Sequence, residues 1–183
     1  MVLRLQTYEP MLDPVLLKYQ LRDAAVYWIL IPAAVIVSGK SIDLVFGWAR
    51  IPLSLPMGFI AVAGLAGGLL LISRAMRDLT SGGGTPNPLR PPKKIITTGC
   101  YSVCRHPLFL GYDLCALAVV FLWGSPGMLL VSYPLFLLLE VRFLRREEKV
   151  LLLKFKQAYA EYMARTPFLL PFTLRRKKEG RQP

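Results

Sequence analysis

The residues best suited to chemistry in this chain are its single histidine, His106, and the acidic pair Glu147-Glu148. His106 lies in the run Arg105-His106-Pro107-Leu108-Phe109-Leu110-Gly111, and the acidic pair follows Arg145-Arg146. Between them stand two apolar stretches joined at Gly124-Ser125-Pro126-Gly127. That junction breaks helix and fits a tight turn, so the segment reads as a helical hairpin. A hairpin brings its two feet together, and residues far apart in sequence then share one pocket. A carboxylate there accepts hydrogen bonds from an ammonium group or from ribose hydroxyls.

Each of these residues also has a plainer reading. His106 precedes Pro107, which suits the first turn of a helix, and a histidine at such a start can simply touch lipid headgroups. Glu147 and Glu148 fit a solvated helical stretch with local ion pairs. Asp113 and Glu140 fall within or at the ends of apolar helices, where ionisable groups are expensive and face a cavity or a partner. Glu140 and Glu147 are seven apart and share a helix face, with Arg142 and Arg146 as local partners. Phe155, Tyr159, Tyr162 and Phe168 follow at near-helical spacing, as a packing stripe or as the roof of a pocket. Cys100, Cys104 and His106 lack the fourth ligand a zinc site needs, so no metal is expected. Three cysteines with no secretory leader give no disulfide framework.

The elements that must position these groups are membrane helices. The chain has 183 residues, 54% of them hydrophobic, and its mean hydropathy is +0.45. These values exceed ordinary globular usage. No cleavable signal peptide is visible in the charged opening residues. The expected spans are 24–39, 51–73, 107–123 and 128–145, with a loop at 81–105 and a tail at 146–183. The segment 24–39 is the weakest, because it is short and contains Pro32. Segment 81–92 is a loop by composition and lacks a P-loop ending, and 13–23 fits an interfacial amphipathic helix. Gly64 and Gly68 stand at the spacing that lets membrane helices approach closely, here inside the bundle.

The formal net charge is +12. The basic residues flank apolar runs and form no interleaved patch, which argues against nucleic acid and for anionic lipid as the counter-charge. With four spans, 21 of the Lys and Arg residues fall on one side and 2 on the other. The positive-inside rule then puts both termini and the loop that ends at Arg105 in the cytoplasm.

The ordered set Gly99-Cys100-Tyr101, Arg105 to Gly111, Glu147-Glu148, Phe155, Tyr159, Tyr162 and Thr166-Pro167 resembles one superfamily. It is that of the integral-membrane methyltransferases, which include isoprenylcysteine carboxyl methyltransferase and phospholipid methyltransferases. The likeness runs over about 93–172. It implies an all-α polytopic bundle of about four transmembrane helices, with a C-terminal helical hairpin and a cytoplasmic helical extension. It also implies S-adenosyl-L-methionine as cofactor. By that analogy the cofactor contacts fall on Lys93, Lys94, Ile95, Ile96, Tyr101, Arg105, His106, Pro107, Leu108, Phe109, Glu147 and Glu148. Arg142 and Arg145 are the family-implied candidates for orienting the substrate. Apart from the resemblance, Glu140, Asp113 and His106 are the candidates for taking a proton from an amine acceptor. Two departures bear on the substrate. The family's usual tyrosine in the Arg-His-Pro motif is Phe109 here. The arginine that isoprenylcysteine enzymes place four residues before the first cofactor-binding glutamate is Phe143.

The resulting expectation is methyl transfer to a lipophilic acceptor at the cytoplasmic face, with the acceptor entering from the membrane. Carboxylate, amine and thiol acceptors stay open, as does the oligomeric state. Two other readings also stay open. One is an NADPH-dependent membrane reductase of sterol-reductase type. The other is a non-catalytic scaffold in which Arg105, His106 and the glutamates merely anchor helices.

Overall fold

The computed structural model describes residues 29–83 and 94–170. The expected helix at 13–23, the start of the first span, Lys93, most of the 81–92 loop and the end of the tail lie outside these residues. The described residues are helical, with no strand among them. The order is α1 (Ile31–Phe46), α2 (Leu55–Ser81), the short α3 (Cys100–Val103), α4 (Pro107–Trp123), a π-helical turn (Met128–Ser132) and α5 (Tyr133–Arg165).

Helix α2 is long and apolar enough to cross a membrane, with a mean hydropathy of 2.2 over its most apolar stretch. Only 17% of that stretch is buried inside the protein, so its apolar side chains face outward, unlike those of a soluble core helix. Leu55 and Phe59 are among the most exposed. Helix α4 is apolar but shorter. It packs on α2 through small residues. A Cβ on Gly68 would stand 2.7 Å from the Gly111 carbonyl oxygen, and one on Gly111 would stand 2.9 Å from that of Gly68. The GxxxG spacing in α2 is therefore an internal packing seam, as the sequence suggests.

Two helices differ in extent from the sequence reading. The first helix runs on to Phe46, past the Gly39 limit set by the charges Lys40 and Asp43. Those charges are compensated: Asp43 is buried, accepts the Ser125 hydroxyl at 2.5 Å and the Gly127 N–H at 2.7 Å, and has Lys40 Nζ at 3.6 Å. Pro32 does not interrupt this helix, because it lies in the first turn, where its missing N–H is not needed. The second helix begins at Leu55, with Pro56 in its first turn, and extends past Ser73 to Ser81. The expected fourth segment opens at Met128 with the π-helical turn, and its helix continues to Arg165 as the expected helical extension, broken at Lys156 (φ 46°, ψ −121°).

Polar ties gather at the hairpin tip. Gly124 ends α4 with φ 63°, a left-handed conformation that glycine adopts without strain. Its carbonyl accepts the Ile51 N–H at 2.8 Å, and Arg50 donates to the Trp123 carbonyl at 2.7 Å. Beneath the tip, Val120, Met128 and Tyr133 form a buried cluster with Ile36, Leu117 and Phe136 around it.

Candidate functional site

At the other end of the hairpin, α2 shapes the approach to the site. Asp78, near the end of α2, accepts the Cys100 N–H at 2.7 Å and so fixes the start of α3. The preceding Gly99 has φ 60°, and any Cβ there would collide with the Asp78 carboxylate. Ile96 is buried against Gly82, Ile95 is half-buried and Lys94 is exposed. Tyr101 is half-buried, and its carbonyl accepts the Tyr162 hydroxyl at 2.6 Å.

The hairpin feet meet at Glu148. Arg105 Nε donates to Glu148 Oε1 at 2.6 Å, and His106 Nε2 stands 3.3 Å from the same oxygen. All three side chains are largely buried, with 10%, 7% and 8% exposure for Arg105, His106 and Glu148. Burial pushes the Glu148 carboxyl up. The His106 hydrogen bond and the Arg105 guanidinium outweigh that and hold it below the usual carboxylate range.

Arg105 does more than pair with Glu148. Its Nη1 donates to the carbonyls of Met163 and Thr166, each at 2.9 Å, and its backbone N–H donates to the Pro167 carbonyl at 2.9 Å. Phe168 lies over this group, edge-on to His106 at 5.0 Å and 5.6 Å from the guanidinium carbon. The break at Lys156 allows the last turns of α5 to change direction. Tyr159 and Tyr162 are buried there, and burial raises both phenols well above their usual range. Of the proposed roof, Tyr159, Tyr162 and Phe168 are therefore part of the packed assembly around Arg105. Phe155 precedes the break and is half-buried.

Glu147 differs from its neighbour. Its Oε2 is buried and has no hydrogen-bond partner among the described residues. Burial raises its carboxyl, Glu148 adds to the rise, and the nearby His106 partly opposes it. A buried acceptor without a donor is costly, and a ligand donor would remove that cost. The acceptor at this end therefore fits a cationic, N–H-bearing ligand.

Pro107 is buried, while Leu108 and Phe109 are half-buried in the first turn of α4. The Phe109 ring lies 6.3 Å from His106, 6.4 Å from Tyr112 and 6.2 Å from Phe143. The two phenylalanines that depart from the family pattern are thus in one aromatic group beside the site. Burial pushes the Cys104 thiol up to about 11, so it stays protonated at neutral pH.

Deeper in the hairpin, Asp113 on α4 and Glu140 on α5 are near enough to interact with each other. Asp113 Oδ1 and both Glu140 oxygens are buried with no donor among the described residues. The expected local partners do not reach them, because Arg142 and Arg146 are exposed, as is Arg145. The arginines and Glu140 therefore do not form one cluster: the former face outward and the latter inward. Sequence reasoning missed Asp78 and the carbonyls of Met163 and Thr166. A lone aspartate near a helix end carries no distinguishing spacing, and carbonyl acceptors carry no sequence signal.

A family model for phospholipid methyltransferases matches residues 57–158, more than half of the chain. The cobalt-zinc-cadmium resistance protein CzcN of Cupriavidus metallidurans is 30% identical over 143 residues. That alignment covers 75% of this chain and 61% of the relative, so the chain spans less than two thirds of that protein. No solved structure matches.

Proposed function

For a chain that belongs to the phospholipid methyltransferase family, we propose S-adenosylmethionine-dependent methyl transfer to a lipophilic acceptor at the cytoplasmic membrane face. The observation that carries this reading is the buried, donor-less Oε2 of Glu147 beside the His106–Glu148 contact. An ammonium group or a ribose hydroxyl supplies the donor that this oxygen lacks.

When bound, S-adenosylmethionine supplies a methyl group on a sulfonium centre that takes back the bonding electron pair. In the proposed site Glu147 accepts hydrogen bonds from it and Glu148 supplies negative charge. Lys94 to Ile96, Tyr101, and His106 to Phe109 form the walls. Arg105 braces the site through Glu148 and the Met163 and Thr166 carbonyls. The chain's main task is alignment, which can lower a two-reactant barrier by about 7–11 kcal/mol at its upper end.

The proposed topology has four spans, provided by α1, α2, α4 and the segment 128–145, with both termini cytoplasmic. The marked excess of Lys and Arg on one side supports it. The site then opens to the cytoplasm for the cofactor and to the bilayer for the acceptor, an isoprenylcysteine-like carboxylate or a phospholipid amine.

Calorimetry on the detergent-purified chain with S-adenosylmethionine, S-adenosylhomocysteine and NADPH tests this reading. Binding of the first two is expected. Binding of NADPH alone would point to a reductase, and no binding by folded protein would point to a scaffold.

A further inference from the structure

We propose that the outward face of α5 from Arg142 to Leu153 binds anionic phospholipid, lying in the headgroup layer with its cations on lipid phosphates. The inference goes beyond methyl transfer and stands without it. It uses only the proposed placement of the hairpin feet at the membrane surface.

Arg142, Arg145, Arg146 and Lys149 stand at i, i+3, i+4 and i+7, a spacing that puts all four on one face of a helix. All are exposed, and none has an ion-pair partner among the described residues. The acids of this stretch do not offset them. Glu148 is buried and held by Arg105 and His106, and Glu147 has a buried oxygen on the inner side. The outward face therefore carries four positive charges and no negative one.

The apolar residues on either side of the cations indicate what covers this face. Towards the hairpin tip it carries Leu135, Leu138 and Leu139, all exposed, as contact with lipid tails requires. Beyond the cations it turns apolar again, with Val150 53% and Leu153 78% exposed. Leu153 lies about 9 Å past Glu147 along the axis. A helix that left the membrane at the arginines would hold these side chains in water. A helix that runs on along the headgroup layer buries them at the acyl boundary, while the long Arg and Lys side chains reach the phosphates. The course ends at the break at Lys156, past which Met163 and Thr166 are tied to Arg105.

Charge complementarity selects the lipid. Cations near a membrane surface are attracted to anionic headgroups, and guanidinium groups pair with phosphate oxygens two at a time. A second copy of the chain is a poor occupant, because symmetric pairing would set the same four cations against each other.

The test follows Tm of the full chain in dodecyl maltoside as phosphatidylglycerol, phosphatidylcholine or inorganic phosphate is added. Phosphatidylglycerol is expected to raise Tm, as a ligand of the folded state does, and the other two are not. An equal rise with phosphatidylcholine, an equal rise with inorganic phosphate, or no rise with phosphatidylglycerol overturns the proposal. In Arg142→Gln/Arg145→Gln/Arg146→Gln/Lys149→Gln the phosphatidylglycerol concentration for half the effect should increase at least about tenfold. The same charge loss at Arg175, Arg176, Lys177 and Lys178, each changed to Gln, should shift it far less. Equal shifts in the two variants would mean bulk charge attraction and overturn the assignment to α5. Val150→Ser/Leu153→Ser keeps every charge and should also weaken phosphatidylglycerol, by about tenfold. Wild-type dependence in that variant would contradict the course of α5 along the headgroup layer. None of these outcomes depends on cofactor binding.

Discussion

Arg105 Nε lies 2.6 Å from Glu148 Oε1, joining two residues that are 43 positions apart. This contact closes the feet of the hairpin, and the same guanidinium also holds the carbonyls of Met163 and Thr166. Arg105 is thus committed to protein partners, whereas Glu147 next to Glu148 keeps a buried oxygen without one. The two halves of the motif therefore separate into a brace and a group that the proposed function uses to hold the cofactor.

The brace predicts a stability effect. Arg105→Ala leaves two carbonyls without their side-chain donor and Glu148 with His106 alone. Breaking a buried pair by removing one partner costs about 3–5 kcal/mol. Thermal unfolding in detergent should show a clear fall in Tm. Arg105→Lys should recover only part of it, because an ammonium cannot reproduce the planar fork. An unchanged Tm for Arg105→Ala would refute the brace.

The two glutamates predict opposite pH behaviour. The Glu148 carboxyl is held below its ordinary value of 4.5 in the folded protein. Its contribution is complete above about 4.5 and is lost as pH falls through the lower folded value. The Glu147 carboxyl is raised above 4.5 by burial. It therefore weakens the fold as pH rises above 4.5, fully so once the raised folded value is passed. Glu147→Gln should raise Tm at pH 7 and Glu148→Gln should lower it. Unfolding scans of both variants at pH 7 check the sign.

The hairpin tip predicts separation of stability from binding. Asp43→Ala orphans the Ser125 hydroxyl and the Gly127 N–H, both buried, at about 1–3 kcal/mol for each unsatisfied group. The 17 residues of α4 put this tie about 25 Å from the His106 end. Tm should fall while S-adenosylhomocysteine affinity, measured below the transition, stays near wild type. A parallel loss of affinity would show that the tip and the site are coupled.

Much of this arrangement was legible in the chain. The Gly124-Ser125-Pro126-Gly127 break located the hairpin, and α4 occupies 107–123 as read. The meeting of His106 with Glu148 followed from the hairpin alone. The extent of α1 was not legible, because Lys40 and Asp43 look like a span limit until Ser125 and Gly127 are brought to them in three dimensions. Nor was the difference between Arg105, which is tied to the Met163 and Thr166 carbonyls, and Glu147, which keeps a buried oxygen without a partner among the described residues, because carbonyl acceptors leave no mark in the sequence. Glu140 seemed to have arginine partners on its own helix. The helix turns those arginines outward and leaves Asp113 as its neighbour.

The central claim is that Glu147 holds the cofactor rather than the fold. Its most direct test is the affinity of S-adenosylhomocysteine for Glu147→Gln beside wild type, by calorimetry, with Tm recorded for both. The account predicts an affinity loss of about tenfold or more in a variant at least as stable as wild type. Wild-type affinity in that variant would contradict it.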